Sequence, residues 1–491
     1  EFGGALSGEH GDGLARSPFQ ERMFGSTLYE AFREIKHTFD PGDLLNPGKI
    51  VDAPPLTDNL RFPRNHVTPE VSTAFDFSDF GGIARAAEQC GGVGACRKSL
   101  TGTMCPSYMA TRNERDSTRG RANALRIAIN NGFGENGLAD PELKPILDLC
   151  LECKACKSEC PTGVDMARLK SEFLFQLYER HPRPRLDHRF ARIDRQLALA
   201  SRWPRLFNAI SGSRAGRWIA AQLAGIDARR RIPPVARQSL LAWWQRRDTS
   251  VDDVADVILF PDTFSTFCEP EHVTATFAIA ERIGLRAVLG PRVCCGRPLI
   301  SRGFLHEAIQ QAVQLVDALA PLTTNGTPIV FLEPSCWSAV VDDLPRLVPA
   351  EHRAAAEQVA GCCLTFEQWA LDHVAGMTVG TEHTGTVLHH GHCHQKALVG
   401  TGPAVELLSR IPGVQVADID AGCCGMAGSF GYERSHYEIS EAIAERVLAP
   451  AVRDHTGPVV APGFSCRHQV EHFTGTRPLS TAEWLHSVLE T

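Results

Sequence analysis

At 491 residues, with 43% hydrophobic, 22% charged and 7% aromatic residues, the chain has apolar material for several cores and is not a disordered one. A net charge of −7 gives no reason to expect nucleic-acid binding, and no apolar run approaches the ~20 residues that a membrane-spanning helix needs. Seventeen cysteines, an odd number, without a secretion leader exclude a disulfide framework and point to metal or redox use. The chain opens Glu1-Phe2-Gly3-Gly4, without Met, and reads as the interior of a longer protein.

The first element is a Gly-rich loop, SGEHGDG, in which Glu9 and His10 set a carboxylate beside an imidazole, a pair able to bind a metal and to take a proton. Helical spacing of Leu28, Phe32, Ile35 and Phe39 predicts a helix from about Glu21 to Thr38, stopped by Asp40-Pro41-Gly42. Residues 1–52 form one segment, and 53–80 read as a Pro-rich linker. Residues 81–181 hold seven cysteines. Cys150, Cys153, Cys156 and Cys160-Pro161 spell C-x2-C-x2-C-x3-C-P, the bacterial ferredoxin run, whose first three thiolates wrap one cubane while the fourth ligates its neighbour. Zinc is the competing occupant of such spacing. Upstream, Cys90 and Cys96 keep the register of a second run, but Val93 stands where the middle thiol belongs, and Cys105-Pro106 follows an insertion. Crossed ligation joins Cys105 to Cys150, Cys153 and Cys156. It leaves Cys90, Cys96 and Cys160 as a three-thiol set, suited to a three-iron cluster or to a four-iron cluster with one non-cysteine ligand.

Between residues 166 and 250, 18 Lys and Arg stand against 6 Asp and Glu, and four of the seven Trp lie there: Trp203, Trp218, Trp243 and Trp244. The segment 182–250 reads as helical and basic. A solvated basic face with Trp in its core is preferred to docking on an anionic membrane or an acidic partner. Residues 251–491 are an internal repeat, divided as 251–380 and 381–491. Cys268, Cys294-Cys295-Gly296 and Cys336 recur as Cys393, Cys423-Cys424-Gly425 and Cys466, offset by 125, 129 and 130 positions. Short apolar runs precede each cysteine and helical patterns lie between, which predicts parallel sheets with every thiol group at the carboxyl end of a strand. Adjacent cysteines cannot pair without strain, so the CCG thiols suit neighbouring metals or one cluster. His390, His392 and His394 flank Cys393 as further ligands, a proton relay or ordinary packing; Cys362-Cys363 has no repeat counterpart and reads as structural.

SGEHGDG with LLNPGKIVD, residues 7–13 and 44–52, closely resembles the C-terminal tail of FAD-linked oxidases of D-2-hydroxy acids. Residues 81–491 resemble the iron–sulfur half that some of these enzymes carry, shared with the anaerobic glycerol-3-phosphate dehydrogenase C subunit and the heterodisulfide reductase B subunit. The resemblance implies an α/β multidomain protein: an α-helical two-cluster ferredoxin domain followed by two duplicated parallel-sheet α/β cysteine-rich domains. It implies a D-lactate or D-2-hydroxyglutarate dehydrogenase, with FAD on an N-terminal half outside these residues, 4Fe-4S clusters, and an iron–sulfur centre at the CCG cysteines. Electrons would reach a quinone, cytochrome or other carrier. Glu9 matches the acid that binds a divalent metal beside the 2-hydroxy acid, and His10 the proton-abstracting base; Asn46 and Lys49 belong to the closing LNPGK motif near the substrate and flavin. In both CCG copies the second cysteine of the family's last CxxC is replaced, by Ala339 and Gln469. A stand-alone electron-transfer subunit and a zinc-stapled interaction protein are the competing readings. The expected location is cytoplasmic, with a peripheral contact on the inner face of the membrane open to the basic segment.

Overall fold

Short β-branched runs alternating with amphipathic helices build two parallel sheets in the C-terminal half of the computed structural model. The structure describes all residues except 1, 2, 8, 59, 63, 64, 131, 133, 248–254, 374–384 and 491. In the first sheet β1 (Val257–Leu259), β2 (Ala287–Leu289), β3 (Ile329–Phe331) and β4 (Cys363–Thr365) run in the order β2-β1-β3-β4, all parallel. In the second, β5 (Gly385–His389), β6 (Val414–Asp418) and β7 (Val459–Val460) take the order β6-β5-β7. The two copies therefore share one topology. Even β4 has a counterpart, because Leu479 bridges Val460 in parallel. The expected domain boundaries at 250/251 and 380/381 fall outside the described residues.

The chain divides into two units, Glu1–Thr68 and Pro69–Thr491, and the division lies inside the expected linker. In the first unit the single helix expected from about Glu21 to Thr38 is two, Gln20–Phe24 and Ser26–Phe39. Gly25 breaks it with φ 80°, ψ 160°, a conformation that no side chain opposes at glycine. Asp40 ends the second helix, accepting hydrogen bonds from the Leu44 and Leu45 N–H groups at 3.0 and 2.8 Å.

In the second unit, short helices such as Ile83–Glu88, Pro106–Thr111, Thr118–Ile129 and Met166–Arg180 carry the cysteine-rich region. Its small apolar residues share one core with the helix Leu305–Leu319 of the first CCG copy. The basic segment is helical as expected, over Arg185–Ala191, Ile193–Ala200, Pro204–Gly212, Arg214–Ala224 and Leu240–Trp244. Its tryptophans divide. Trp243 and Trp244 pack on Phe277, whereas Trp203 and Trp218 are 61% and 62% exposed, so two of the four lie outside any core. Among the described residues no helix is long and apolar enough to cross a membrane.

Candidate functional site

Two voids in the cysteine-rich region sort its seven thiols. Cys105, Cys150, Cys153 and Cys156 line one, with Arg121 and Lys154; Cys90, Cys96 and Cys160 line the other, together with Val93. The chain thus crosses over between the two motifs, in the division expected from the ferredoxin run. Burial raises the thiols of Cys150, Cys153 and Cys156, and Arg121 and Lys170 partly oppose it at Cys150. Arg121 is fully buried; it donates to Cys105 Sγ at 3.3 Å, Ser107 Oγ at 2.9 Å and the Ile146 carbonyl at 3.1 Å. In the second void the Arg119 N–H reaches Cys96 Sγ at 3.4 Å. Burial raises Cys160, but hydrogen bonds from Thr162 and the backbone N–H groups that follow prevail and lower it. Among the described residues no three His, Cys, Asp or Glu converge closely enough for one metal ion. Four thiols around a shared void, in the C-x2-C-x2-C-x3-C-P run, suit a multi-iron cluster.

The CCG thiols stand at the carboxyl ends of strands, and the shared glycine is dictated by the backbone: Gly296 and Gly425 have φ 80° and 91°. The two copies differ in charge. In the first, Cys295 Sγ lies 3.1 Å from Cys336 Sγ, and Cys294 adjoins Cys295. At Cys336 the contact with Cys295 pulls the pKa down, but burial beside Asp262 and Glu333 wins and pushes it up to about 12. Burial, with Glu269 and Asp262 nearby, likewise raises Cys268. In the second copy Cys393, Cys423, Cys424 and Cys466 form one contiguous group. The Cys423 contact, helped by His392 and Lys396, lowers Cys393 to about 7, while contacts with Cys423 and Cys466, and then His390, lower Cys424. His390 is fully buried, with its ring against Cys424.

Gln469, where the family has a cysteine, is spent elsewhere: Oε1 accepts from Arg230 Nη1 at 2.9 Å and Nε2 donates to the Ser440 carbonyl at 3.1 Å. Ala339 is wholly buried. Cys363 lies in β4 and donates to the Val359 carbonyl at 3.1 Å, a packing role.

Charged residues next to the cysteines, not singled out from the sequence, lock these groups together. Lys154 Nζ bonds Asp342 and Asp343 at 2.9 and 2.7 Å, and Arg297 bonds Glu152 and Asp343 at 2.7 and 3.1 Å. Glu269 and Arg467 pair across the two copies at 2.6 Å, and Glu333 accepts from the Phe464 N–H at 2.8 Å. His394 Nε2 sits 3.0 Å from the Glu152 carbonyl, and the helix Ala155–Glu159 packs on Cys393–Leu398. Cys153 and Cys393 are consequently near enough to interact electrostatically. The signal was adjacency: Glu152, Lys154, Glu269, Arg297 and Arg467 each stand within two positions of a cysteine.

In the first unit Glu9 and His10 are side by side, Oε1 to Nε2 3.4 Å, and both side chains are exposed. Arg16 braces their loop by donating to the Gly11 carbonyl at 3.2 Å; Gly8 lies outside the described residues. Asn46 has φ 50° and accepts weakly from Lys49 Nζ at 3.5 Å, the geometry of a turn.

Two thiol-lined voids beside a duplicated CCG module fit an iron–sulfur protein of the two-cluster type. Residues 1–50 match the model of "FAD linked oxidases, C-terminal domain", residues 86–164 that of the "4Fe-4S dicluster domain", and residues 387–471 that of the "Cysteine-rich domain". The chain is similar to D-2-hydroxyglutarate dehydrogenase from Pseudomonas putida, 28% identical over 96% of this chain and 50% of that protein. It is also similar to D-2-hydroxyglutarate dehydrogenase from Escherichia coli, 26% identical over 97% and 50%. The C subunit of anaerobic glycerol-3-phosphate dehydrogenase from Escherichia coli is 26% identical over 51% of this chain and 64% of that protein. The chain spans about half the length of the D-2-hydroxyglutarate dehydrogenases that it matches.

Proposed function

We propose that these residues are the electron-transfer half of a flavin and iron–sulfur dehydrogenase that oxidises a D-2-hydroxy acid, D-2-hydroxyglutarate in preference to D-lactate, to the 2-oxo acid. The observation that carries the reading is the run of thiol groups: Cys105, Cys150, Cys153 and Cys156 share one void, and the helix that follows them, Ala155–Glu159, packs on Cys393–Leu398 of the next group. A zinc-stapled protein has no need of such continuity. The substrate preference rests on similarity to the two dehydrogenases, which extends over nearly the whole chain.

The chain's own residues have distinct tasks. Glu9 would hold a divalent metal, which would supply positive charge for the substrate, and the adjoining imidazole of His10 takes the hydroxyl proton. Cys105, Cys150, Cys153 and Cys156 hold one cluster, with Arg121 supplying a fixed positive charge beside it; Cys90, Cys96 and Cys160 hold the other. The thiols of the second CCG copy, with His390 against Cys424, would hold a further centre. When bound, FAD supplies the hydride acceptor and the clusters supply one-electron carriers. FAD is assigned to polypeptide beyond these residues, so the 491 residues alone should not oxidise either acid.

His10→Ala in the longer polypeptide tests the assignment. It should abolish flavin reduction by D-2-hydroxyglutarate and leave the visible and EPR spectra of the clusters intact. Normal flavin reduction in that variant removes His10 from catalysis, and a colourless wild-type protein with stoichiometric zinc removes the electron-transfer reading altogether.

A further inference from the structure

A large apolar cavity of the second unit, about 570 Å³, ends on thiols, and ligand pockets typically hold ~300–1,000 Å³. Its floor is Cys268, Cys294, Cys295 and Cys336 of the first CCG copy, with Cys393 of the second at the edge. Cys423, Cys424 and Cys466 do not line it, so the copies are unequal: one group is closed inside the protein and the other faces an open chamber. The walls come from the basic segment, through Phe190, Ile193, Leu197 and Phe207. Glu152, Arg297, Ser335, His392, His394 and Ser465 are among its polar lining. A chamber whose exposed lining is mostly apolar, with polar groups beside the thiols, suits a ligand with a polar head and a long apolar remainder.

The mouth says where such a ligand comes from. Ile210 and Ile219 line the cavity yet are 55% and 47% exposed, which places the opening between the helices Pro204–Gly212 and Arg214–Ala224. The same stretch leaves Leu199, Trp203, Leu206 and Trp218 exposed. From 195 to 226 it carries five Arg (195, 202, 205, 214 and 217) and no Asp or Glu. Exposed Trp and Leu among uncompensated arginines are the chemistry of an interfacial surface that lies on anionic lipid.

We propose that this cavity binds a lipophilic quinone, which enters from an anionic membrane surface on which the helices 204–224 rest. The inference deepens the electron-transfer reading and rests on it. The quinone ring lies at the floor, beside the thiols of the first copy, and the isoprenoid tail leaves between Ile210 and Ile219. Two electrons from oxidation of the hydroxy acid and two protons from water convert the quinone to the hydroquinone, with no bond to the protein.

Binding is measured on the cluster-loaded protein with decylubiquinone in detergent, and association with vesicles of phosphatidylglycerol against vesicles of phosphatidylcholine. Wild-type protein should retain decylubiquinone and sediment with the anionic vesicles, less so at high salt. Ala220→Trp, which fills the chamber, should weaken quinone binding by about tenfold or more while the visible spectrum is unchanged. Where Ala220→Trp disturbs the fold, Ile219→Glu at the exposed rim replaces it, with the same loss expected. Trp203→Ser with Trp218→Ser should abolish vesicle association and preserve binding in detergent. Wild-type protein that does not bind decylubiquinone, or variants that bind it as wild type, would overturn the site. So would equal association with both vesicle types, or a lipid-free dimer that buries the two tryptophans. A protein that binds the quinone normally but is never reoxidised by it keeps the site and contradicts the electron-transfer reading instead.

Discussion

Val93 occupies the slot of a missing thiol in the void shared by Cys90, Cys96 and Cys160, and it is 71% exposed, so the void has an open wall there. A three-thiol site of this kind loses iron to oxidation more readily than the four-thiol site beside Arg121. Val93→Cys should raise the iron content by about one atom per chain and suppress the three-iron EPR signal after mild oxidation. Two complete clusters in the oxidised wild-type protein would count against the open site. Asp262 makes a different test. It caps the helix Thr263–Phe267 through the Phe264 and Ser265 N–H groups, at 2.9 and 3.0 Å. Burial, reinforced by Glu333, nevertheless pushes its pKa up to about 6. Between the unfolded value near ~3.9 and the folded one the native state holds the extra proton, so stability falls as pH rises through that window, by about 3 kcal/mol. Asp262→Asn keeps an acceptor for the cap and should flatten this slope, seen as a melting temperature that changes less across that window than that of wild type. An unaltered slope would show that other groups set it.

The six CCG positions were legible because strand-then-helix alternation is local, and parallel sheets collect ligands at one edge. The order β2-β1-β3 repeated as β6-β5-β7 follows from the same duplication. Gly25 is a legible breaker, masked because the apolar spacing on both sides stays in phase. Other features had no local signature. The exposure of Trp203 and Trp218 depends on what their helices find to pack against, and the basic composition of the segment does not say. The join between the CCG copies is similarly non-local. Arg467 donates to Glu269 through Nε and Nη2 at 3.1 and 2.6 Å, and His468 adds a contact at 3.3 Å. Burial alone would raise the Glu269 carboxyl; Arg467 and His468 hold it well below the usual carboxylate range. Glu269→Gln strands a buried guanidinium and should cost about 3–5 kcal/mol in unfolding free energy, read from the denaturant midpoint. A change below ~1 kcal/mol, the range of an exposed pair, would mean that water reaches Arg467.

Within residues 69–491 the thiol groups form a sequence in space that the chain order only partly follows. Cys153, in the ferredoxin run, comes within electrostatic reach of Cys393, more than two hundred positions later, because Lys154, Arg297, Glu152, Asp342 and Asp343 clamp the cysteine-rich region onto the CCG module. In the second copy Cys393 and Cys424 are lowered, with Arg230 near Cys424, while Cys423 and Cys466 are raised. In the first copy Asp262, Glu269 and Glu333 add to the burial that raises Cys268 and Cys336, and Arg297 stands beside Cys295. Cys424 lies in the unit 69–491, far along the chain from Glu9 and His10, and the electron-transfer reading assigns it to a step after the hydroxy-acid chemistry. In the longer polypeptide, Cys424→Ser should leave the rate of flavin reduction by substrate within about twofold of wild type. Turnover with the electron acceptor should fall by about tenfold or more, since only the later step has lost its ligand. Stopped-flow absorbance separates the two steps. Slowed flavin reduction with undiminished acceptor turnover would reverse the assigned order of the sites.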